Sequence, residues 1–337
     1  MNSTKMEVLF NNMDQAILLL QNELTVSYVE SLAETLQNLS FDGQAQQMEG
    51  QPSDETIKKL NAIYKKLKLK DESPETVRKL VQLAFIKAIK EDKIQTNHQM
   101  TPDTIAYLIA YFIAEIKKDA TETLHIHDLA SGTGNLLTVV MDYLQKRGNT
   151  VSAEAVDNDD LLVALASNSA NLQNWNDQIQ FVHSDSLQEL LIKPADIAVA
   201  DLPVGYYPMD DRAKKFETSF EEGHSFAHFL MIEQHLKYVK DSGWGFFIIP
   251  KNLFESDENS LLIKWLKGKG YLQAVLNLPE TLFQSASMQK AILILQKEGE
   301  NAKQAKQVLL GDIPNIKDAR KMKEFIELFH NWSEKML

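Results

Sequence analysis

From about residue 100 onward, apolar segments of strand length alternate with amphipathic segments of helix length, and this rhythm constrains the fold more than any other feature. The spacing predicts helix 102–118, strand 123–129, helix 135–147, strand 151–156, helix 160–172, strand 178–183 and strand 195–200. It continues with helix 225–239, strand 244–249, helix 258–267, strands 271–278 and 289–296, and a last helix over 318–335. Such alternation builds a mainly parallel sheet covered by helices, an α/β fold. Between the last two strands, residues 279–288 are too few for a crossover helix, so an antiparallel pair is expected at one edge.

The first hundred residues have a different pattern. Residues 6–40 read as helix, with Leu9, Phe10, Met13, Ile17 and Leu20 at helical spacing. A polar stretch with Gly43, Gly50 and Pro52 interrupts it. Helices are expected near 54–70 and 74–91, with Pro74 in a first helical turn. The expected organisation is an all-helical domain over 1–95 and an α/β domain over 96–337, without internal repeats.

Composition narrows the chemistry. None of the 337 residues is cysteine, which excludes disulfides, thiolate zinc, iron–sulfur clusters and a cysteine nucleophile. A net charge of -12 argues against generic nucleic-acid binding. The charge is uneven, however. Residues 57–93 carry eleven Lys/Arg against five Asp/Glu, net +6, so these helices present either a basic binding face or an ordinary solvated surface. The short apolar run at 16–20 lacks a signal peptide's layout, and the ten-residue apolar stretch 105–114 is half a membrane span. A cytoplasmic protein without membrane association is expected.

In open α/β sheets, ligands bind beyond the carboxyl ends of the strands. The first strand end reads Asp128-Leu129-Ala130-Ser131-Gly132-Thr133-Gly134-Asn135-Leu136-Leu137, a glycine loop that lets a ligand approach the backbone. Leu137 stands where a dinucleotide phosphate loop has a small third residue, which disfavours a nicotinamide-dependent oxidoreductase. The second strand ends at Asp157-Asn158, suited to ribose hydroxyls or to capping a helix. The third leads to Asp185-Ser186, and the fourth into Asp201-Leu202-Pro203-Val204-Gly205-Tyr206-Tyr207-Pro208. His224 and His228 have a helical i, i+4 spacing used by metal sites, but no Glu flanks His224, and they read as structural or pocket residues. No metal is expected. His125 and His127 read as packed or hydrogen-bonded on the first strand, and the stripe at 107–112 reads as core.

Together with Met100-Thr101-Pro102, Ser225-Phe226-Ala227-His228, the run 243–250 and Leu278-Pro279-Glu280-Thr281-Leu282-Phe283, these strand ends resemble a class I S-adenosylmethionine-dependent methyltransferase. The resemblance covers about 95–297. It is narrower to the N6-adenine DNA methyltransferases and the modification subunits of type I restriction enzymes, which also carry helical N-terminal regions. It implies a Rossmann-like, seven-stranded sheet, mostly parallel with an antiparallel edge strand, and S-adenosylmethionine as cofactor.

On this resemblance, Met100, Thr101, Asp128, Ala130, Gly132, Gly134, Asn135 and Leu136 contact the cofactor, Thr101 and the glycine loop at its methionine part. Asp157 with Asn158 takes the ribose, and Asp185 with Ser186 the adenine. Asp201, Leu202 and Pro203 correspond to a catalytic signature of Asn, Asp or Ser, then Pro-Pro, then an aromatic residue. Leu202 and Val204 depart from that signature, leaving Tyr206 or Tyr207 to stack on the acceptor. The implied reaction is methyl transfer to an adenine-type exocyclic amine, with DNA favoured over RNA. Other readings are a protein-amide or RNA methyltransferase and a degenerate, cofactor-binding regulatory subunit. About forty residues follow Gln296, too few for a target-recognition domain, so target reading is expected from the basic helices, a partner subunit or a second copy.

Overall fold

The computed structural model describes residues 3–94, 100–254 and 259–337. The chain opens with α1 (Ser3–Leu24), α2 (Tyr28–Ser40), α3 (Asp54–Leu67) and α4 (Pro74–Glu91), followed by α5 (Asp103–Lys117), β1 (Thr123–Asp128) and α6 (Asn135–Arg147). Next come β2 (Thr150–Asp157), α7 (Asp160–Leu172), β3 (Ile179–His183), β4 (Ala195–Asp201), the single turn α8 (Asp210–Ala213) and α9 (Ala227–Tyr238). The remainder is β5 (Val239–Pro250), α10 (Asn259–Leu266), β6 (Gly270–Asn277), β7 (Lys290–Lys297), β8 (Leu309–Asp312) and α11 (Ala319–Met336).

Two helices replace the single one expected over 6–40. The chain turns at Thr25, with φ 55°, and restarts at Ser27. The Ser27 hydroxyl accepts the Glu30 N–H, and the Glu30 carboxylate accepts the Ser27 N–H at 2.8 Å. This capping box satisfies two donors that a helix start otherwise leaves orphaned.

The chain divides into two compact units. The first comprises Met1–Met100, Gly132–Asn135 and Asp157–His183. Its core joins Met13, Ile17, Leu20, Tyr28, Leu32, Leu60, Leu80 and Phe85 with Leu162 and Leu165 of α7. Burial of such side chains, about 1.5–3 kcal/mol each, is what holds helices of this length. Asp14 accepts the Tyr28 hydroxyl at 2.6 Å and the Lys87 ammonium at 2.7 Å, while Asp92 caps α2 through the Val29 N–H at 2.7 Å. Of the basic stretch, Arg78 is buried and Lys65, Lys66 and Lys68 are exposed.

The second unit comprises Thr101–Ser131, Leu136–Val156 and Ser184–Leu337. Among the described residues of both units, eight strands are ordered β3-β2-β1-β4-β5-β7-β6-β8 in one mostly parallel sheet. The antiparallel strand is β7, which pairs with both β5 and β6. The expected β6–β7 pair is present but does not end the sheet, because β8 adds an eighth strand parallel to β6. Strand β8 was not expected: four residues with intermediate or exposed side chains carry no periodic signal. The central runs 246–249 and 291–295 are fully buried, as strands covered on both faces must be. Phe112 of α5 stacks on Phe329 of α11 with ring centroids 4.3 Å apart, so part of the 107–112 stripe is core.

Strand direction places the chemistry. Parallel β4 and β5 end side by side, with Asp201 opposite Ile248. Antiparallel β7 begins where β5 ends, with Lys290 opposite Pro250. The first residue of β7 therefore lies at the edge where the parallel strands finish. Among the described residues, no helix is long and apolar enough to cross a membrane.

Candidate active site

The glycine loop turns through two left-handed residues, Gly132 at φ 49° and Gly134 at φ 72°. No heavy atom lies within 4 Å of where a Gly132 Cβ would stand, so its backbone is open to approach. At Gly134 a Cβ would come 3.2 Å from the Ala166 Cβ, a close fit that adds to the demand for glycine. Within the first unit, the Gly132 N–H donates to Asp157 Oδ2 at 2.7 Å, and the Asp159 N–H to Asp157 Oδ1 at 3.1 Å. Burial pushes the Asp157 carboxyl up from its ordinary value, against the pull of these backbone donors. Gln82 donates to Asn135 Oδ1 at 2.8 Å, so that asparagine is held by α4. Asn158 is exposed, and its carbonyl meets His183 at 3.1 Å.

In the second unit, the buried Asp128 accepts the Ala130 N–H at 3.0 Å and shapes the turn after β1. Leu136 is buried. The Ser186 hydroxyl donates to the Leu129 carbonyl at 2.6 Å, and Gln234 donates to the Ser186 carbonyl at 2.6 Å. Ser131 Oγ is buried without a hydrogen-bond partner, and in the first unit so is Thr133 Oγ1. The orphaned Thr133 hydroxyl on the same loop as open Gly132 suits a polar ligand with carboxylate or amino groups.

Asp185 accepts the Tyr207 hydroxyl at 2.5 Å and is ion-paired with Arg212, which also donates to Tyr207 Oη at 3.1 Å. Burial, then the bond to Asp185, pushes the Tyr207 hydroxyl up to about 12. The carboxylate expected to meet an adenine amine thus already holds two groups of the chain.

At the end of β4, Asp201 Oδ2 accepts the Thr101 hydroxyl at 3.0 Å and Asp201 Oδ1 the Lys290 ammonium at 2.6 Å. Thr101, expected at the cofactor, here has its hydroxyl on Asp201. The Leu202 N–H is tied to the Ile248 carbonyl at 3.0 Å, which fixes the peptide after Asp201. The loop is clamped further on, where the Tyr207 N–H donates to Ser225 O and the Ala227 N–H to Gly205 O, each at 2.9 Å.

The two tyrosines part company here. Tyr207 is 8% exposed and committed to Asp185, whereas Tyr206 is 62% exposed and lies on Phe226 at 4.8 Å and 13°. Phe226 lies in turn on His228 at 5.1 Å and 18°. His228 bonds the Pro203 backbone, and burial lowers it to about 4, so its ring is neutral. His224 precedes α9 instead of sharing a helix with His228, and its Nδ1 meets Asp210 at 2.9 Å. His125 bonds Ser152 and Glu154, while His127 is fully buried beside His235. Sequence reasoning missed Lys290 and Arg212. The signal for Lys290 was a basic residue opening an antiparallel strand beside parallel ones.

The N-6 DNA methylase family model matches residues 84–332, and that of the YtxK N-terminal helical domain matches residues 7–89. The uncharacterized protein YtxK of Bacillus subtilis strain 168 is 38% identical over 323 residues, 96% of each chain. A Listeria monocytogenes crystal structure, assigned as a candidate class I S-adenosylmethionine-dependent methyltransferase, has a TM-score of 0.89 at 40% identity. That match covers 97% of this chain and 98% of the other. A type I restriction-modification methyltransferase subunit from Streptococcus thermophilus has a similar fold, with TM-score 0.62 and 16% identity over 97% of this chain and 74% of its own.

Proposed function

Since this chain belongs to the N-6 DNA methylase family, we propose that it transfers a methyl group from S-adenosylmethionine to an adenine-type exocyclic amine in DNA. The observation that carries the reading is the Asp201 carboxylate at the end of β4, braced by Thr101 and followed by a pinned Leu202-Pro203 turn. An aromatic amine's lone pair is delocalised into its ring and attacks poorly. An acceptor for each of its N–H bonds, the Asp201 side chain and the Leu202 carbonyl, lets the nitrogen pyramidalise as it reacts. Preorganised acceptors of this kind act where charge develops.

The cofactor supplies an electrophilic methyl group on a sulfonium. Open Gly132 and the orphaned hydroxyl of Thr133 fit its polar amino-acid end. Asp157 offers about four acceptor directions, of which the backbone N–H groups of Gly132, Asn158 and Asp159 use three, leaving one for a ribose hydroxyl. Asp185 would contribute to the adenine end, together with the Tyr207 and Arg212 groups it holds. Tyr206 is the aromatic surface offered to an acceptor base. The other cofactor-binding positions remain Met100, Thr101, Asp128, Ala130, Gly134, Asn135, Leu136, Asn158 and Ser186. In this reading residues 1–95 form a helical domain and residues 96–337 a catalytic domain, the protein works in the cytoplasm, and a partner subunit or second copy supplies target recognition.

The departure of Leu202 and Val204 from the catalytic signature favours one alternative, a cofactor-binding regulatory subunit without turnover. Labelled S-adenosylmethionine offered with DNA, RNA and cell-extract protein separates the readings. Label in DNA is expected. Label in protein or RNA alone overturns the DNA assignment, and tight cofactor binding without any transfer favours the regulatory subunit.

A further inference from the structure

Lys290 is fixed through its backbone at the edge where β4 and β5 end. It opens β7, pairs in register with Pro250, and its carbonyl accepts the Leu278 N–H at 3.0 Å. From there its ammonium reaches Asp201 Oδ1 at 2.6 Å, while Thr101 occupies Oδ2. The pair is not sealed. The Lys290 side chain is 28% exposed and that of Asp201 20%, so a ligand can still reach the carboxylate. A carboxylate offers about four acceptor directions, and these two donors use two of them.

We propose that Lys290 is a specificity-determining residue that makes the acceptor position select an uncharged nucleobase amino group over an alkylammonium such as a lysine side chain. This rests on the methyl-transfer reading above, and it names the residue that sets the acceptor's charge. A lone carboxylate at this position would attract protonated amines, whose nitrogen has no lone pair to methylate. Lys290 removes that attraction by neutralising Asp201 and presents a like charge to any second cation. A neutral amino group is not repelled and can donate to the lone pairs that remain. The Asp201–Lys290 pair thus acts as a net neutral acceptor, as an asparagine amide would. Building repulsion against the wrong ligand is a general route to specificity.

The test reads binding and needs no turnover. Ligand-observed NMR titrations at low salt would follow 9-methyladenine and n-butylammonium on the full chain, with saturating S-adenosylhomocysteine to cover the cofactor's own adenine position. The parent should bind 9-methyladenine and hold n-butylammonium at least about tenfold more weakly. Lys290→Met should gain about tenfold for n-butylammonium, and Lys290→Arg should keep the parent's pattern. Adding Asp201→Ala to Lys290→Met should abolish the gain, which locates it at that carboxylate. Lys290→Gln serves if Lys290→Met does not fold. A folded, charge-removed variant whose preference between the two probes equals the parent's overturns the proposal. A chain that shows this gain in the charge-removed variant yet methylates nothing overturns the methyl-transfer reading and leaves this one standing.

Discussion

The N–H of Gly132 donates to the Asp157 carboxylate at 2.7 Å, so the loop that approaches the ligand and the acid assigned to its ribose are one structural piece. Asp157→Ala removes both an anchor of the loop and a ribose acceptor. Hydrogen bonds to a charged acceptor are worth about 1.5–3 kcal/mol, so S-adenosylmethionine affinity should fall roughly ten- to a hundredfold. Calorimetry on parent and variant measures it, and equal affinities would remove Asp157 from the site.

At the acceptor turn, Asp201→Ala should lower single-turnover methyl transfer by about a hundred- to a thousandfold, the cost of losing one preorganised hydrogen bond at a reacting group. Asp201→Asn keeps an oxygen in place and should retain measurable transfer. Cofactor affinity should change little in either variant, because Asp201 is assigned to the acceptor. An Ala variant as fast as the parent would show that Asp201 has no part in catalysis.

Tyr206 and Tyr207 should separate in kinetics. Tyr206→Ala deletes the exposed ring and should raise the acceptor KM, since base–aromatic stacking is worth about 1–3 kcal/mol per base. Tyr207→Phe deletes only the hydroxyl on Asp185 and should alter cofactor binding instead. The opposite pattern would reverse the two roles.

If exposed Lys65, Lys66 and Lys68 meet phosphates, DNA affinity should fall steeply with salt. Their triple replacement by Gln should flatten the plot of log affinity against log salt by up to about three. An unchanged slope assigns these lysines to ordinary solvated surface.

Acid should destabilise the second unit through its buried histidines. His228 and His235 are lowered to about 4 by burial, and His127 well below its ordinary value. His235 accepts the Leu129 N–H at 3.2 Å through Nε2 and meets the Met231 carbonyl at 2.7 Å through Nδ1, a pairing that only the neutral ring with Nδ1–H supports. The folded state therefore binds fewer protons than the unfolded one. Stability is full above the unfolded value of about 6.5 and is lost as pH falls toward 4, by roughly 1.4 kcal/mol per pH unit for each histidine. Urea denaturation between pH 7 and 4.5 should show the decline, with a shallower slope in His235→Gln.

Most of the fold was legible because its signals are local. Helical spacing in α3 and α4, the buried apolar runs of β4, β5 and β7, and left-handed glycines at 132 and 134 each follow from neighbouring residues. Even the break at Thr25 was announced by the Ser27–Glu30 capping box, which apolar periodicity across 6–40 concealed. Strand β8 was not legible, since its four residues become a strand only by pairing with β6.

The site divides along the same line. Asp128, Asp157, Asp185 and Asp201 could be picked out because each follows a strand, and the ends of parallel strands share one edge. What each carboxylate holds was set at long range. Thr101 and Lys290 reach Asp201 from 100 and 89 residues away, and Arg212 reaches Asp185 from 27. Local sequence carries the strand ends because backbone propensity and burial act over a few residues. The partners come from strand order: antiparallel β7 returns its first residue to the edge where β4 and β5 finish, and so brings a lysine to a carboxylate that nothing near it in the sequence would have paired.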